Sequence, residues 1–319
     1  MTPADKPTFY FIGVTTGASS IMRVFPKWAA HLRLGDVAIK GIDLKPHDTV
    51  DNYRAVTRFI KEDPLSLGAL VTTHKLDLYA ACADLFDEID PHARLMAETS
   101  CLSKRDGRLI CHAKDPISSG LALDGFLPAH HFAETGAELL SMGAGGSTIA
   151  LTWHLAQPSR GANRPARIVV TDRTRSRLDH IRAIHESFGC DIPCDYVLAD
   201  RPEVNDAQMA SLKPGSLVVN ATGLGKDAPG SPLTFDGAFP QDGIVWELNY
   251  RGDLVFLDQA RAQQDARDLQ IEDGWTYFIH GWTQVIAEVF DVAIPTSGPD
   301  FDAISDIAAE ATGRVQAKS

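Results

Sequence analysis

Continuous apolar runs of strand length punctuate the first third of the chain, at residues 9–14, 37–42 and 67–72. Such runs, bounded by turn residues, predict strands buried on both faces. Residues 21–34, 49–60 and 76–86 repeat apolar side chains at helical spacing. Alternating strands and helices require crossover connections, hence a mostly parallel sheet. Residues 102–110 then predict a hairpin turning at Asp106-Gly107. The character changes at about Pro116. A strand at 139–142 runs straight into Gly143-Ala144-Gly145-Gly146-Ser147, and a helical stretch follows at 149–155. Further strands are predicted at 168–171, 216–220 and 244–246, and helices at 177–188, 277–290 and after Pro299. This is the βαβ rhythm of a nucleotide-binding domain, so the fold class is α/β. With 319 residues and no internal repeat, two domains are expected.

Charge narrows the partners. Lys and Arg total 30 against 42 Asp and Glu, a formal net charge of -12. So acidic a chain lacks the basic footprint of a nucleic-acid binder and is repelled by anionic membrane surfaces. No apolar run approaches the ~18 residues of a membrane-spanning helix. Residues 1–14 lack the basic-then-apolar order of a secretory signal. Five cysteines are an odd and sparse set, which makes a reducing cytoplasm the expected compartment.

The chemistry-bearing motif is Gly143-Ala144-Gly145-Gly146. Its first glycine permits a tight turn and its second lets the backbone approach a pyrophosphate, which the following helix N-terminus stabilises. A plain tight turn is the alternative, but strand and helix flank the loop as dinucleotide binding requires. The next strand ends at Asp172-Arg173-Thr174-Arg175-Ser176-Arg177, where such domains read the adenosine ribose. The signals there conflict. A strand-end carboxylate favours NAD, because it accepts from the ribose hydroxyls and repels a 2′-phosphate. Arg173 and Arg177 favour NADP, because they can clamp that phosphate. A solvated charged helix start is the bland alternative.

Several motifs, in order, resemble those of the shikimate dehydrogenase family. Gly68-Ala69-Leu70-Val71-Thr72-Thr73-His74-Lys75 is similar to its G-A-N-V-T-[VI]-P-x-K segment. Asp106-Gly107-Arg108-Leu109 followed by Asp115 resembles D-G-x-L-x-G-x-N-T-D-G, and Asp172-Arg173-Thr174 resembles N-R-T. Asn220-Ala221-Thr222 matches I-N-A-T, and Gly274 matches the glycine before the C-terminal helix. The resemblance covers nearly the whole chain. It implies a substrate-binding catalytic domain at 1–117 and 275–319, with a Rossmann-like dinucleotide-binding domain at 118–274. It also implies reversible hydride transfer between NAD(P) and a ring alcohol of a carboxylated polyol. Three of the four family positions around Asp172 match an NADP site, so NADP is favoured over NAD. The family's catalytic lysine falls on Lys75 and its aspartate on Asp115. A lysine can share the alcohol proton as hydride leaves and stabilise the developing alkoxide, while a carboxylate orients the hydroxyl.

The departures cluster in the implied substrate site. Of the family's S-x-S-P only Ser20 matches, and the asparagine of G-A-N-V-T is Leu70. The segment before Lys75 is one residue short and lacks its proline. The asparagine of V-N-T becomes Thr99, and N-T before the aspartate becomes Ala113-Lys114, a new cation beside Asp115. The family's glutamine aligns with Gly281, with Gln284 about one turn further on. Thr72 and Tyr250 still match polar substrate contacts. A site that hydrogen-bonds hydroxyls discriminates strongly, since an unmatched buried polar group costs ~1–3 kcal/mol. The expected substrate is therefore a polyhydroxy acid or ketone other than shikimate, taken by a monomer or homodimer. A non-redox enzyme using Lys75 and Asp115 for proton transfer, and a non-catalytic dinucleotide or sugar-acid sensor, are the competing readings.

Other clusters carry less. His130, His131 and His154 lack ligand spacing. Cys101, Cys111 and His112 on the hairpin read as core, and Cys190 with Cys194 is too sparse for zinc, so no metal is expected. Trp275, Tyr277, Phe278 and Trp282 read as core, with an aromatic able to pack on a nicotinamide.

Overall fold

The computed structural model describes residues 1–226 and 228–314. The chain divides into two compact units, Met1–Lys114 with the segment from Ile279, and Asp115–Phe278.

The first unit is built on a six-stranded sheet. Its strands are β1 (Thr8–Gly13), β2 (Ala38–Asp43), β3 (Ser66–Val71), β4 (Glu88–Ile89), β5 (Cys101–Arg105) and β6 (Arg108–His112), in the order β2-β1-β3-β5-β6-β4. The first three pair in parallel, as their helical crossovers require. The predicted hairpin is present, with Asp106 and Gly107 both at positive φ. It makes the sheet mixed, because β5 lies antiparallel to β3. The crossover helices are α1 (Ile21–His31) and α2 (Val50–Glu62), followed by α3 (Lys75–Cys82) and α4 (Pro91–Met96). Thr49 caps α2, its hydroxyl accepting from the Asn52 N–H at 3.2 Å. Asp90 caps α4 in the same way, with Pro91 in the first turn. The helix predicted over 76–86 stops at Cys82 and tightens into a 3-10 turn at Ala83–Leu85.

The second unit carries a six-stranded sheet that is parallel throughout. It comprises β7 (Leu139–Met142), β8 (Ile168–Asp172), β9 (Cys194–Leu198), β10 (Leu217–Asn220), β11 (Ile244–Glu247) and β12 (Gln270–Glu272). The order β12-β11-β10-β7-β8-β9 is that of the doubly wound dinucleotide-binding sheet. Its helices are α5 (Asp115–Phe126), α6 (His131–Thr135), α7 (Gly146–Leu155), α8 (Arg175–Ser187), α9 (Pro202–Ala210), α10 (Val255–Arg261) and α11 (Gln264–Arg267). Hydrophobic periodicity misses α5, because it buries small residues, Ser118, Ser119, Gly120 and Ala122, rather than an apolar stripe. A Cβ on Gly120 would lie 2.4 Å from His154 Nδ1, so that face accepts only glycine unless the ring moves.

The chain ends with α12 (Trp275–Phe290) and α13 (Gly298–Thr312). Within the first unit, Phe9 meets Phe25, Trp282 and Phe290 edge-on or tilted, with centroids 5.4–6.3 Å apart. Trp28 of α1 is fully buried and donates its indole N–H to the Ile304 carbonyl of α13 at 2.9 Å. Trp28→Ala removes both the packing and that bond. It should lower stability by about 3–5 kcal/mol in urea unfolding, whereas a loss under 1 kcal/mol would contradict this role.

Candidate functional site

In the second unit β7 and β10 are neighbours at the point where the strand order reverses. Gly143 leaves β7 with φ +102°, and a Cβ there would stand 2.6 Å from the Ala221 carbonyl oxygen. No side chain fits, so the loop needs its first glycine for both torsion and space. Gly145 is extended and caps α7, and Gly146 opens it. The Thr148 hydroxyl donates to the Gly143 carbonyl, which fixes the loop to its helix. The amide donors of α7's first turn thus face the mouth of the sheet.

A cavity of about 500 Å³ opens beside this loop, lined by Gly143, Gly145, Asp172, Arg173, Arg177, Arg201, Ala221 and Thr222. Asp172 is largely buried. One of its oxygens accepts from the Ala144 N–H at 2.9 Å and the other from the Thr174 N–H at 2.7 Å. The carboxylate holds the glycine loop and its own turn. The exposed charged groups lining the cavity there are Arg173, Arg177 and Arg201, with the carboxylate of Asp200 among them. Arg201 escapes sequence reasoning because β9, the strand leading to it, is partly exposed and lacks an apolar run. Two buried polar atoms on cavity-lining residues, Thr171 Oγ1 and Asn205 Oδ1, have no hydrogen-bond partner among the described residues. Orphan groups of this kind await a polar ligand.

Asn220 ends β10 and organises the next loop. Its carbonyl oxygen accepts from the Thr222 N–H at 3.1 Å and the Thr222 hydroxyl at 2.7 Å. Its amide donates to Glu247 Oε2 at 2.5 Å, and Asn249 donates twice to Glu247 Oε1. Glu247 is fully buried, and burial outweighs these bonds, raising its carboxyl from 4.5 to about 7. Gly274 packs so tightly that a Cβ would meet the Leu248 oxygen at 2.1 Å. Tyr277 lies edge-on to Trp246, its hydroxyl 3.4 Å from Ser147 at the start of α7. Tyr250 sits in an aromatic cluster with Phe278 and Trp275. Asp115 is buried in the first turn of α5.

In the first unit Lys75 opens α3 and is half-buried. Its N–H donates to the Thr72 carbonyl and its carbonyl accepts from the Thr99 N–H, each at 3.1 Å. The shortened segment is therefore pinned on both sides. His74 stands where the family has proline; it is fully buried, with Nδ1 3.0 Å from the Tyr53 hydroxyl. Thr99 is fully buried too, and its hydroxyl lies within donating distance of the Cys101 and His112 carbonyls. Through its N–H it also braces Lys75. Ser20 is buried at the start of α1 and Gln284 half-buried on α12. Lys114, read from sequence as a cation beside Asp115, ion-pairs with Glu288, which His112 Nε2 also approaches at 3.6 Å.

Of the clusters set aside on sequence, the histidines separate. His131 contacts the Gly215 carbonyl, while His154 contacts Asp124 and Arg160. Cys101 and Cys111 are core residues whose thiols burial holds well above their usual values. Cys190 and Cys194, read from sequence as too sparse for zinc, lie beside the buried His185, the three ligand atoms within 4.8 Å of one another.

No family model matches the chain. The shikimate dehydrogenase (NADP(+)) of Methylocella silvestris is 30% identical over 228 residues, covering 70% of each chain. The chain belongs to the shikimate dehydrogenase family. Among the first curated relatives, all shikimate dehydrogenases, it spans 58–70% of their own length. The fold of the family is that of solved structures. Thermus thermophilus shikimate 5-dehydrogenase in complex with NADP(H) and shikimate superposes with a TM-score of 0.68 at 21% identity, covering 95% of this chain and 99% of that one. The 5-ketofructose reductase of a Gluconobacter strain superposes at 0.66 and 16% identity, covering 96% and 98%.

Glu247 generates a pH signature. The folded chain holds its proton more tightly than the unfolded chain, so this contribution is intact below about 4.5 and is lost as pH rises through about 7. The stability gap between wild type and Glu247→Gln should shift in the variant's favour by on the order of 3 kcal/mol between pH 4.5 and 8. Urea unfolding at the two pH values reads this, and a pH-independent gap would refute it.

Proposed function

We propose that the chain is an NADP-dependent oxidoreductase interconverting a secondary alcohol and a ketone on a polyhydroxylated substrate, carboxylated and cyclic like the family's, but not shikimate. The single observation that carries the cofactor half is the Gly143 cradle, hard against Ala221, with arginines beside it and both Asp172 oxygens engaged by backbone N–H groups. A 2′-phosphate gains charge-assisted bonds from Arg173, Arg177 and Arg201, three cations that outnumber the exposed Asp200, while Asp172 is held by backbone N–H groups. Gly145 and Gly146 offer the pyrophosphate the N-terminus of α7, while Ala144, its N–H held by Asp172, completes the loop. Thr174, Asn220, Ala221, Thr222 and Gly274 shape the walls of the dinucleotide domain. When bound, the nicotinamide accepts or returns the hydride.

In the catalytic half Lys75 shares the alcohol proton and stabilises the alkoxide through its ammonium, and Asp115 is the carboxylate that the family resemblance assigns to orienting a substrate hydroxyl. Thr99 positions Lys75 through the backbone. Ser20, Thr72, Tyr250 and Gln284 contact the substrate. Leu70 replaces an amide that would bond a ring hydroxyl, and it is buried in β3. Gly281 lacks any side-chain donor. Shikimate therefore loses bonds that another substrate must supply or not need.

Two measurements test the proposal. Arg173→Ala, Arg177→Ala or Arg201→Ala should weaken NADP binding about tenfold or more and leave NAD binding nearly unchanged. Equal losses for both cofactors would remove the 2′-phosphate role. Nicotinamide reduction across shikimate, quinate, sugar acids and cyclitols should show turnover, with shikimate poor. Lys75→Ala should lower kcat about 10²–10⁴-fold. Silence across the panel, from protein that binds NADP, would favour a non-redox or sensor role.

A further inference from the structure

On the second unit, at the C-terminal end of α8, His185, Cys190 and Cys194 converge. Their ligand atoms all lie within 4.8 Å of one another. The two sulfurs are 3.9 Å apart. Two thiolates each about 2.3 Å from one tetrahedral zinc ion stand about 3.8 Å apart, so the pair is already set at the spacing of metal ligands. The Cys-x3-Cys interval falls within the range of zinc-binding loops. Both cysteines are partly exposed, which gives an ion a way in.

The histidine is prepared for ligation as well. Its Nε2 lies 2.8 Å from the Thr152 hydroxyl on α7, and that hydroxyl is itself 2.8 Å from the Thr148 carbonyl. A hydroxyl has one proton. With that proton on the carbonyl, Thr152 accepts from His185 Nε2–H, which leaves the lone pair on Nδ1. A buried acceptor that fixes the ring's tautomer is the usual partner of a ligating histidine. Nδ1 lies 2.7 Å from the Tyr196 hydroxyl, next to Cys194 on β9.

We propose that His185 Nδ1, Cys190 Sγ and Cys194 Sγ form a binding site for a soft divalent cation, of which zinc is the type. Binding breaks two S–H bonds and forms two sulfur–metal bonds, releasing two protons with no change of oxidation state. The Tyr196 O–H···Nδ1 bond gives way, and the Tyr196 oxygen remains beside the fourth position. The metal ties the end of α8 to the start of β9 and, through Thr152, to α7. Helices α7 and α8 both begin at the dinucleotide cavity, so occupancy stiffens the wall that carries Gly146 and Arg177. This site is independent of the reaction proposed above.

The test uses the full chain, stripped of metal with chelator under reductant, and titrated with Co²⁺. Expected are one Co²⁺ per chain, a thiolate-to-cobalt charge-transfer band, tetrahedral d–d absorption, and displacement of both by Zn²⁺. Two protons should be released per ion. Zinc should also shield two of the five thiols from a thiol reagent. Cys190→Ser and Cys194→Ser, at partly exposed positions that should leave the circular dichroism unchanged, should each weaken binding at least about tenfold. His185→Gln should keep the charge-transfer band and shift the d–d bands. Six-coordinate cobalt without a thiolate band, or equal affinity in wild type and the serine variants, would overturn the proposal. So would a chain whose two thiols simply pair as a disulfide and take no metal when reduced.

Discussion

The second unit depends on one close approach. Where β7 gives way to the glycine loop, backbone passes backbone with no room for a methyl group between Gly143 and Ala221. Everything that lines the cavity is set by that proximity. It brings the end of β10, with Asn220 and Thr222, against the start of α7, and it aims the free amides of the helix at a space between two strands. A larger residue would part the sheet at its switch point, where an open α/β sheet binds its ligand.

Charge is distributed around the loop by a division of labour. A carboxylate at the end of β8 would ordinarily be read as a ribose partner. Here Asp172 is a structural staple, each oxygen taken by a backbone N–H. The outward-facing charges are Arg173 of the β8 turn, Arg177 in the first turn of α8 and Arg201 before α9, with the carboxylate of Asp200 beside them. Behind them, Asn220 links the Thr222 loop to a buried acid. The donors are held by groups that do not touch the ligand, and so they are positioned before it arrives.

Most of the architecture was legible because buried strands leave continuous apolar runs and their crossover helices leave periodic ones. The strand–glycine–helix unit at 139–155 and the hairpin at Asp106-Gly107 are local signals that tertiary structure had no reason to override. What escaped did so for physical reasons. Helix α5 packs through small residues, and β9 is partly exposed, so neither shows an apolar pattern. With β9 hidden, Arg201 had no strand end to sit on. Asp172 was placed correctly, but the direction of its oxygens is a three-dimensional fact. His185 looked like one more polar residue on a charged helix, and only the fold shows that it meets two cysteines. The paired state of Lys114 was equally invisible, since Glu288 lies 174 residues away.

The first unit is assembled from both ends of the chain, with Trp28 anchored to Ile304. The second is a single uninterrupted segment between them. A ribosome emits the chain from one end, so the inner unit can finish folding while the outer one still lacks its last two helices. Until α12 and α13 emerge, Phe9 lacks Trp282 and Phe290, and Trp28 lacks the Ile304 carbonyl. The apolar face they form is the part of this protein most in need of a chaperone during synthesis.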